Sequence, residues 1–248
     1  MDTCAVTVEI AGVPARLICR REIAALMKDY LSDREPLFTA EAHPRTTERL
    51  LKMHRRSMAA LGRTGYPEPV LQAESLALHI ALCAGMLDYN VLMLHASAVC
   101  LDNEAYVFTA PSGTGKSTHA GLWLKAFGTR AYIINDDKPM LRIYEDRIEV
   151  FGSPWTGKHG RGCPGHAPLK AAVALRRGTD NSVEPISPAE AFSLLHGRAF
   201  GDADPEIMAR TLPLKKALAE RAPFFRLNMD NLKEDAAERC LEGLISYG

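Results

Sequence analysis

The sequence has no excess of charge of either sign, since 30 Lys and Arg residues balance 30 Asp and Glu residues along 248 positions. A general nucleic-acid-binding protein needs a basic excess to neutralise phosphates, so we expect no nucleic-acid partner. Hydrophobic residues make up 47% of the chain and charged residues 24%, which is typical of soluble globular domains. This length fits one large α/β domain, or a domain of roughly 180 residues with a small appendage.

Long apolar runs and closely spaced cysteine pairs are missing as well. The longest apolar run near the chain centre, Ile80 to Leu87, is much shorter than the ~18–20 residues of a membrane-spanning helix, so we expect no membrane span. The first residues carry no basic segment before an apolar core, which argues against a signal peptide. The six cysteines are scattered without a C-x-x-C pair, which favours reduced thiols and a cytoplasmic location.

Residues 1–66 are predicted to form a small α+β subdomain, and residues 67–248 a second domain. The strings CAVTVEI and ARLIC read as two strands around a turn, and helical spacing follows from Glu22 to Leu31. The segment from Glu41 to Tyr66 holds six Lys or Arg residues against two Glu. We interpret it as a solvated helix face, with a docking surface for an acidic partner as the alternative. The turn-rich string from Gly62 to Pro69 is the expected boundary.

Strands and helices alternate after this boundary, which predicts the α/β class. The strings PMLRIY and RIEVFG form a hairpin pattern, and the hairpin favours a mixed sheet over an all-parallel one. The other predicted strands are Val91–Ala96, Ala105–Thr109, Ala131–Asn135, Ala171–Leu175 and Phe224–Leu227, and the predicted helices are Leu71–Leu87, Pro188–His196, Pro205–Arg221 and Lys233–Ile245.

The strongest motif is a phosphate-binding loop between an apolar strand and an amphipathic helix, within Ala105 to Phe127. Two glycines, Gly113 and Gly115, allow a tight turn whose amides converge on phosphate oxygens, and the helix N-terminus adds its positive dipole. Lys116 is expected to reach the β- and γ-phosphates of ATP. The remaining predicted contacts are Ser112 and Thr114 within the loop, the Ser117 hydroxyl on Mg²⁺, and Thr118 near the α-phosphate.

The loop departs from the pattern G-x-x-x-x-G-K-[ST] at its first position, where Ala110 replaces glycine. A methyl group is tolerated there if the backbone keeps a negative φ.

Two adjacent carboxylates, Asp136 and Asp137, follow the predicted strand AYIIN. If this strand shares a sheet with the strand before the loop, both carboxylates lie beside the phosphates. One of them can ligate Mg²⁺ and the other can accept a proton from an attacking hydroxyl.

These motifs together resemble the catalytic domain of the HPr kinase/phosphorylase family. The order His95-Ala-Ser, a strand, SGTGKS and then Asn135-Asp136-Asp137 is similar to the family pattern. The string from Gly152 to Gly160 resembles a segment of HPr-kinase-related enzymes of peptide modification, including lasso-peptide kinases. The family has a phosphoenolpyruvate-carboxykinase-like P-loop fold, which implies a mixed sheet flanked by helices.

The resemblance also implies roles for individual residues. It implies that Lys116 and Ser117 bind phosphate and Mg²⁺, that Asp136 is the base towards the acceptor hydroxyl, and that Asp137 is a metal ligand. His95 would tune the aspartate. The family further suggests a homo-oligomer. HPr itself is not expected as the substrate, because no counterpart of the HPr-docking signature is present and the N-terminal unit is short.

A glycine-rich stretch after the predicted hairpin holds further candidates. Lys158 and His159 could contact the transferred phosphoryl group or the acceptor, or lie in a solvated loop, and Trp155 could be an acceptor platform or a packing residue. The spacing H-x₃-C-x₂-H, formed by His159, Cys163 and His166, could hold zinc but lacks a fourth ligand.

The function that the sequence favours is an ATP- and Mg²⁺-dependent kinase that phosphorylates a Ser or Thr hydroxyl of a peptide or small protein. A nucleotide-gated peptide-binding module without transfer is an alternative, although the carboxylate pair favours an enzyme. A kinase for a small molecule such as free serine is the other alternative.

Overall fold

The computed structural model describes residues 2–60, 69–201 and 204–247, without the side chains of residues 57–60 and 158. Its internal contacts divide the chain into two units, Met1–Asp88 and Tyr89–Gly248. The division lies later than the boundary predicted at residue 66, because the helix that follows residue 68 packs on the strands of the first unit. Most of the turn-rich boundary string lies outside the described residues.

The first unit begins with the predicted pair of strands. Strands β1 (Thr3–Ile10) and β2 (Val13–Arg20) form an antiparallel hairpin, and β3 (Phe38–Glu41) pairs parallel to β2. The turn residues Ala11 and Gly12 both have positive φ, as a two-residue turn that matches the twist of the strands requires. The helix predicted from Glu22 to Leu31 is interrupted: α1 spans Arg21–Ala25, and a 3₁₀ turn follows at Lys28–Tyr30.

Two longer helices complete the first unit. Helix α2 spans Pro44–Ala60 and packs against α3 (Pro69–Met86), which confirms the predicted helix after residue 70. By length and composition alone, Pro69–Tyr89 could cross a membrane. A core helix passes the same test, and α3 buries Leu78, Leu82 and Met86 within its own unit.

The second unit is built on a mixed nine-stranded sheet, which confirms the α/β class and the mixed strand directions. The main strand order is β4-β8-β9-β10-β6-β5-β7, and β12 pairs with both β10 and β11. The long strand β10 pairs antiparallel with β9 near its start and parallel with β6 and β12 further along. The strands are β4 (Val91–Met93), β5 (Ala96–Leu101), β6 (Glu104–Thr109), β7 (Ala131–Asn135), β8 (Met140–Ile143), β9 (Ile148–Phe151), β10 (His166–Arg177), β11 (Val183–Pro185) and β12 (Phe224–Met229).

The strand directions bring the phosphate loop and the two aspartates to one edge of the sheet. Strand β5 is antiparallel to both β6 and β7, so β6 and β7 run parallel and end at the same edge of the sheet. The single strand predicted at Val91–Ala96 is wrong: it divides into β4 and β5, which pair with different strands. The strand is interrupted at Leu94 and His95, whose backbones pair with residues 199 and 198 instead. This interruption of the strand places His95 at the edge of the sheet where β6 and β7 end.

Helices cover the sheet of the second unit. Helix α4 (Lys116–Phe127) packs on β5 and β7 and buries Trp123 completely beside Phe108. The other helices are α5 (Pro188–Leu195), α6 (Pro205–Arg221) and α7 (Ala236–Ile245). Helix α5 starts with a capping box between Ser187 and Glu190, which satisfies two otherwise unpaired amides. Helix α7 starts three residues later than the predicted Lys233, whose amide donates to Asp230 in a turn.

Candidate active site

The predicted phosphate loop connects β6 to α4 in the expected order of strand, loop and helix. Gly113 has φ +77° and Gly115 has φ +121°, which are backbone conformations that favour glycine. Ala110 is not among the non-glycine residues with positive φ in the described part of the chain. The methyl group at the first loop position is therefore accommodated, as the sequence analysis required.

Lys116 lies at the start of α4 with its side chain inside the unit. Its Nζ donates to the carbonyl of Ala110 at 3.1 Å and contacts Nε2 of His95 at 3.3 Å. An ammonium group can only donate, so Nε2 of His95 accepts and its Nδ1 carries the proton. That Nδ1 lies 3.2 Å from Oδ1 of Asp137. Burial lowers the pKa of Lys116, whereas the charge of Asp137 acts in the opposite direction.

A cavity of about 390 Å³ joins the loop to the start of β5 and the end of β7. It brings together all residues predicted to bind the nucleotide or the metal or to take part in catalysis except Thr114 and Lys158, and the further candidate Trp155 does not line it. Thr114 lines a neighbouring hollow, beside Arg177, and the side chain of Lys158 lies outside the described residues. The lining residues are His95, Ser112, Gly113, Gly115, Lys116, Ser117, Thr118, Asp136, Asp137, Thr156, Gly157 and His159.

Asp136 is the buried carboxylate of the cavity, with a side chain that is 1% exposed. Its Oδ1 accepts a hydrogen bond from the Ser97 hydroxyl at 2.6 Å. Its Oδ2 has no hydrogen-bond partner among the described residues, and the nearest cation, Nε of Arg161, lies 3.7 Å away. A buried carboxylate oxygen without a hydrogen-bond donor is costly, which marks Asp136, a lining residue of the cavity, as a candidate for a functional role.

Asp137 is held differently, because both of its oxygens have partners. Oδ1 faces His95 and Oδ2 pairs with the ammonium group of Lys138. Burial raises the pKa of Asp137, but the hydrogen bonds and charges of His95 and Lys138 outweigh burial and bring the pKa to about 2. Asp137 therefore stays ionised at neutral pH. Gly157 packs on it so closely that an added Cβ would lie 2.8 Å from the Asp137 Cβ.

The turn that carries both aspartates is fixed by Asn135. Its side-chain oxygen accepts from the amides of Asp137 at 2.9 Å and Lys138 at 2.6 Å. Its Nδ2 donates to the carbonyl of Ser153 at 3.0 Å and to that of Trp155 at 3.4 Å. The buried side chain of Asn135 thus links the turn that carries the two aspartates to the glycine-rich segment. This segment therefore helps to anchor the turn at the cavity.

Ser97 and Arg161, which contact Asp136, were missed by sequence reasoning. Ser97 lies two residues after His95, within the same string His95-Ala-Ser of the sequence. That signal could have identified Ser97. The carbonyl of Arg161 accepts a hydrogen bond from the amide of Asp136 at 3.1 Å, a contact between two loop residues that no local sequence pattern predicts.

The donor set of the cavity suits magnesium. Ser117, Asp136 and Asp137 offer hydroxyl and carboxylate oxygens, the ligands that Mg²⁺ prefers. The zinc hypothesis is wrong for the described residues, where no group of three or more His, Cys, Asp or Glu side chains could hold a metal ion. Cys163 instead donates to the carbonyl of Ile133, and His166 stacks on Phe151.

The comparisons with known proteins give likenesses among solved structures. No protein-family model matches the sequence, and no curated protein matches it. Among solved structures, the HPr(Ser) kinase/phosphatase from Coxiella burnetii aligns with a TM-score of 0.40 and 12% sequence identity, over 63% of this chain and 99% of that chain. We therefore base the function on the geometry of the cavity.

Proposed function

We propose that the protein is an ATP-dependent kinase that transfers the γ-phosphoryl group to a hydroxyl group. The observation that carries this proposal is the buried carboxylate of Asp136, whose Oδ2 accepts no hydrogen bond among the described residues, in the lining of the same cavity as the phosphate loop. A nucleotide-binding module needs the loop alone, whereas transfer to a hydroxyl also needs a proton acceptor beside the phosphates.

The loop and Lys116 would bind the triphosphate. The glycines expose loop amides to the cavity, and the first turn of α4 adds its positive end. Lys116 now contacts His95 and the carbonyl of Ala110, two neutral acceptors. A phosphate oxygen is a stronger acceptor for an ammonium group than either of them, so bound ATP would draw Lys116 away and free Nε2 of His95.

Asp136 would accept the proton of the attacking hydroxyl. The hydrogen bond from Ser97 fixes one carboxylate oxygen, and Oδ2, which accepts no hydrogen bond among the described residues, would take the proton. A general base with one oriented oxygen contributes typically 10²–10⁴-fold to a transfer rate. Ser97 is a positioning residue in this scheme, because it touches the carboxylate and not the substrate.

Ser117 and Asp137 would hold Mg²⁺. Asp137 remains anionic because its pKa lies at about 2, and an ionised carboxylate is what a magnesium ligand requires. When bound, the metal supplies charge neutralisation at the phosphate oxygens. Lys138 pairs with the same carboxylate, so it would lose part of that pairing when the metal binds.

The order of the motifs supports a finer assignment. His95, SGTGKS and Asn135-Asp136-Asp137 occur in the order known from the HPr kinase/phosphorylase family. We therefore infer a phosphoenolpyruvate-carboxykinase-like P-loop architecture and a Ser or Thr acceptor on a peptide or small protein.

Phosphoryl transfer from [γ-³²P]ATP with Mg²⁺ tests this function. The acceptor arms are a degenerate peptide mixture containing Ser and Thr, the same mixture with Ala in their place, and free L-serine. We expect label in the first arm alone, and a rate of labelling in that arm that is about 10²–10⁴-fold lower with Asp136→Asn. Label on L-serine would change the substrate class to a small molecule. ATP binding without label in any arm would replace the kinase with a binding module.

A further inference from the structure

A chain of hydrogen bonds reaches the phosphate loop from the far end of the sequence. Asn231, which follows β12, donates from Nδ2 to the carbonyl of Gly115 at 3.2 Å. The same side chain contacts Nδ1 of His119 through its Oδ1 at 2.9 Å. The carbonyl of Gly115 also accepts from the amide of His119 at 2.9 Å, so both of its lone pairs are used.

Chemistry fixes the direction of every bond in this chain. The indole nitrogen of Trp123 can only donate, so it donates to Nε2 of His119 at 3.2 Å. His119 must then carry its proton on Nδ1 and donate to Asn231. Its ring is fully buried, and the imidazole is in its neutral form because Nε2 accepts the indole N–H of Trp123. The amide group of Asn231 is therefore held with its oxygen towards His119 and its nitrogen towards the loop.

The main chain next to Asn231 is also anchored. The buried Asn181 accepts from the amide of Asp230 at 2.7 Å and donates to the carbonyl of Asp230 at 3.2 Å. Gly115 in turn fits closely under Asn231: an added Cβ at Gly115 would lie 3.0 Å from Nδ2 of Asn231. Position and orientation of the Asn231 amide are thus fixed from both sides.

We propose that Asn231, oriented by His119 and Trp123, is a positioning residue that aims a loop amide at the bound phosphates. The C=O of Gly115 and the N–H of Lys116 share one planar trans peptide group and point in opposite directions. Holding the carbonyl against Asn231 therefore directs the Lys116 amide away from Asn231. This inference rests on the proposed function, in which the loop binds ATP.

The affinity for Mg·ATP, measured by calorimetry, tests the role of Asn231. Asn231→Ala should weaken binding about tenfold, the effect of losing one oriented hydrogen bond to the loop. Asn228→Ala is the matched control, because Asn228 lies on β12 and bonds Arg176 and Ser182 instead of the loop. It should bind within twofold of the wild type. Equal affinities of wild type and Asn231→Ala would overturn the positioning role.

A conservative pair at His119 separates orientation from packing. His119→Gln offers an amide donor for Asn231 and a carbonyl acceptor for Trp123, whereas His119→Leu offers neither. We expect the Gln variant to keep Mg·ATP affinity within threefold of wild type and the Leu variant to lose about tenfold. Equal losses in both variants would mean that His119 only fills space.

The indole N–H resonance of Trp123 gives a readout that a purely structural role would not change. Trp155→Phe identifies the resonance in a ¹⁵N-tryptophan-labelled protein, since the chain has 2 tryptophans. Saturating Mg·ATP should move this resonance in the wild type and leave it unmoved in Asn231→Ala. A shift that persists in Asn231→Ala would overturn the chain of contacts. Failure of the wild type to bind Mg·ATP would overturn the proposed function as well.

Discussion

Acidification should destabilise the second unit through His119. The imidazole is completely buried, and its pKa is about 4 in the folded chain against 6.5 in an exposed histidine. Between these values the unfolded chain binds a proton that the folded chain does not, so stability falls as the pH falls from 6.5 to 4. This single group accounts for a loss of about 2 kcal/mol at pH 5 relative to neutral pH, and about 3 kcal/mol at pH 4.

Urea unfolding followed by tryptophan fluorescence measures this loss, because both tryptophans, Trp123 and Trp155, lie in the second unit. Other carboxylates titrate over the same range, so the informative quantity is the difference between wild type and His119→Gln, whose amide does not titrate. The difference in unfolding free energy between the wild type and His119→Gln should change by about 2 kcal/mol between pH 7 and pH 5. A difference that is constant with pH would refute the view that His119 is buried in its neutral form.

Three substitutions at the cavity test the roles proposed for its residues. Lys116→Ala should weaken Mg·ATP binding about 100-fold in calorimetry, since a charge-assisted contact to phosphate is lost, and retained tight binding would contradict the phosphate-loop assignment. Ser117→Ala should raise the Mg²⁺ concentration needed for activity more than it weakens metal-free nucleotide binding; equal effects would remove the hydroxyl from the metal. Gly157→Ala should slow transfer because its Cβ meets Asp137, whereas Gly128→Ala, with a positive φ but no atom within 4 Å of its Cβ, should not. Equal rates in these two variants would show that the contact with Asp137 is unimportant.

Local patterns predicted most of the elements that build the site. The strand Ala131–Asn135 is confirmed, and the residues GTGKS lie between a strand and a helix as the motif requires. Both features depend on residues within one short window, where alternation and glycine positions decide the backbone. The two aspartates follow the same window, so the sequence could also predict that they lie near the loop.

The supporting contacts could not be predicted, because they join distant parts of the chain. His119 and Asn231 are 112 residues apart, and Asn181 and Asp230 are 49 apart. The division between residues 88 and 89 also depends on such contacts: the turn-rich string predicts a break in secondary structure, whereas the division depends on what α3 packs against. The break between β4 and β5 at Leu94 and His95 follows from pairing with residues 198 and 199, about 100 positions away.

The two aspartates divide the proposed work between them, and their Asn variants should differ accordingly. Asp137 is ionised and paired with His95 and Lys138, so Asp137→Asn should weaken Mg·ATP binding as well as turnover. The two roles would be exchanged if Asp137→Asn bound Mg·ATP normally but transferred no phosphate, and Asp136→Asn bound Mg·ATP more weakly. That result would leave the kinase proposal intact.

The most direct test of the kinase proposal is single-turnover transfer from enzyme-bound [γ-³²P]ATP by Asp136→Asn. The asparagine keeps the size of the side chain and can still bond Ser97, but it has no basic oxygen. We predict a transfer rate about 10²–10⁴-fold below that of the wild type, with Mg·ATP affinity within several-fold of the wild type. A variant that binds Mg·ATP and transfers phosphate at the wild-type rate would contradict the role of Asp136 as the proton acceptor.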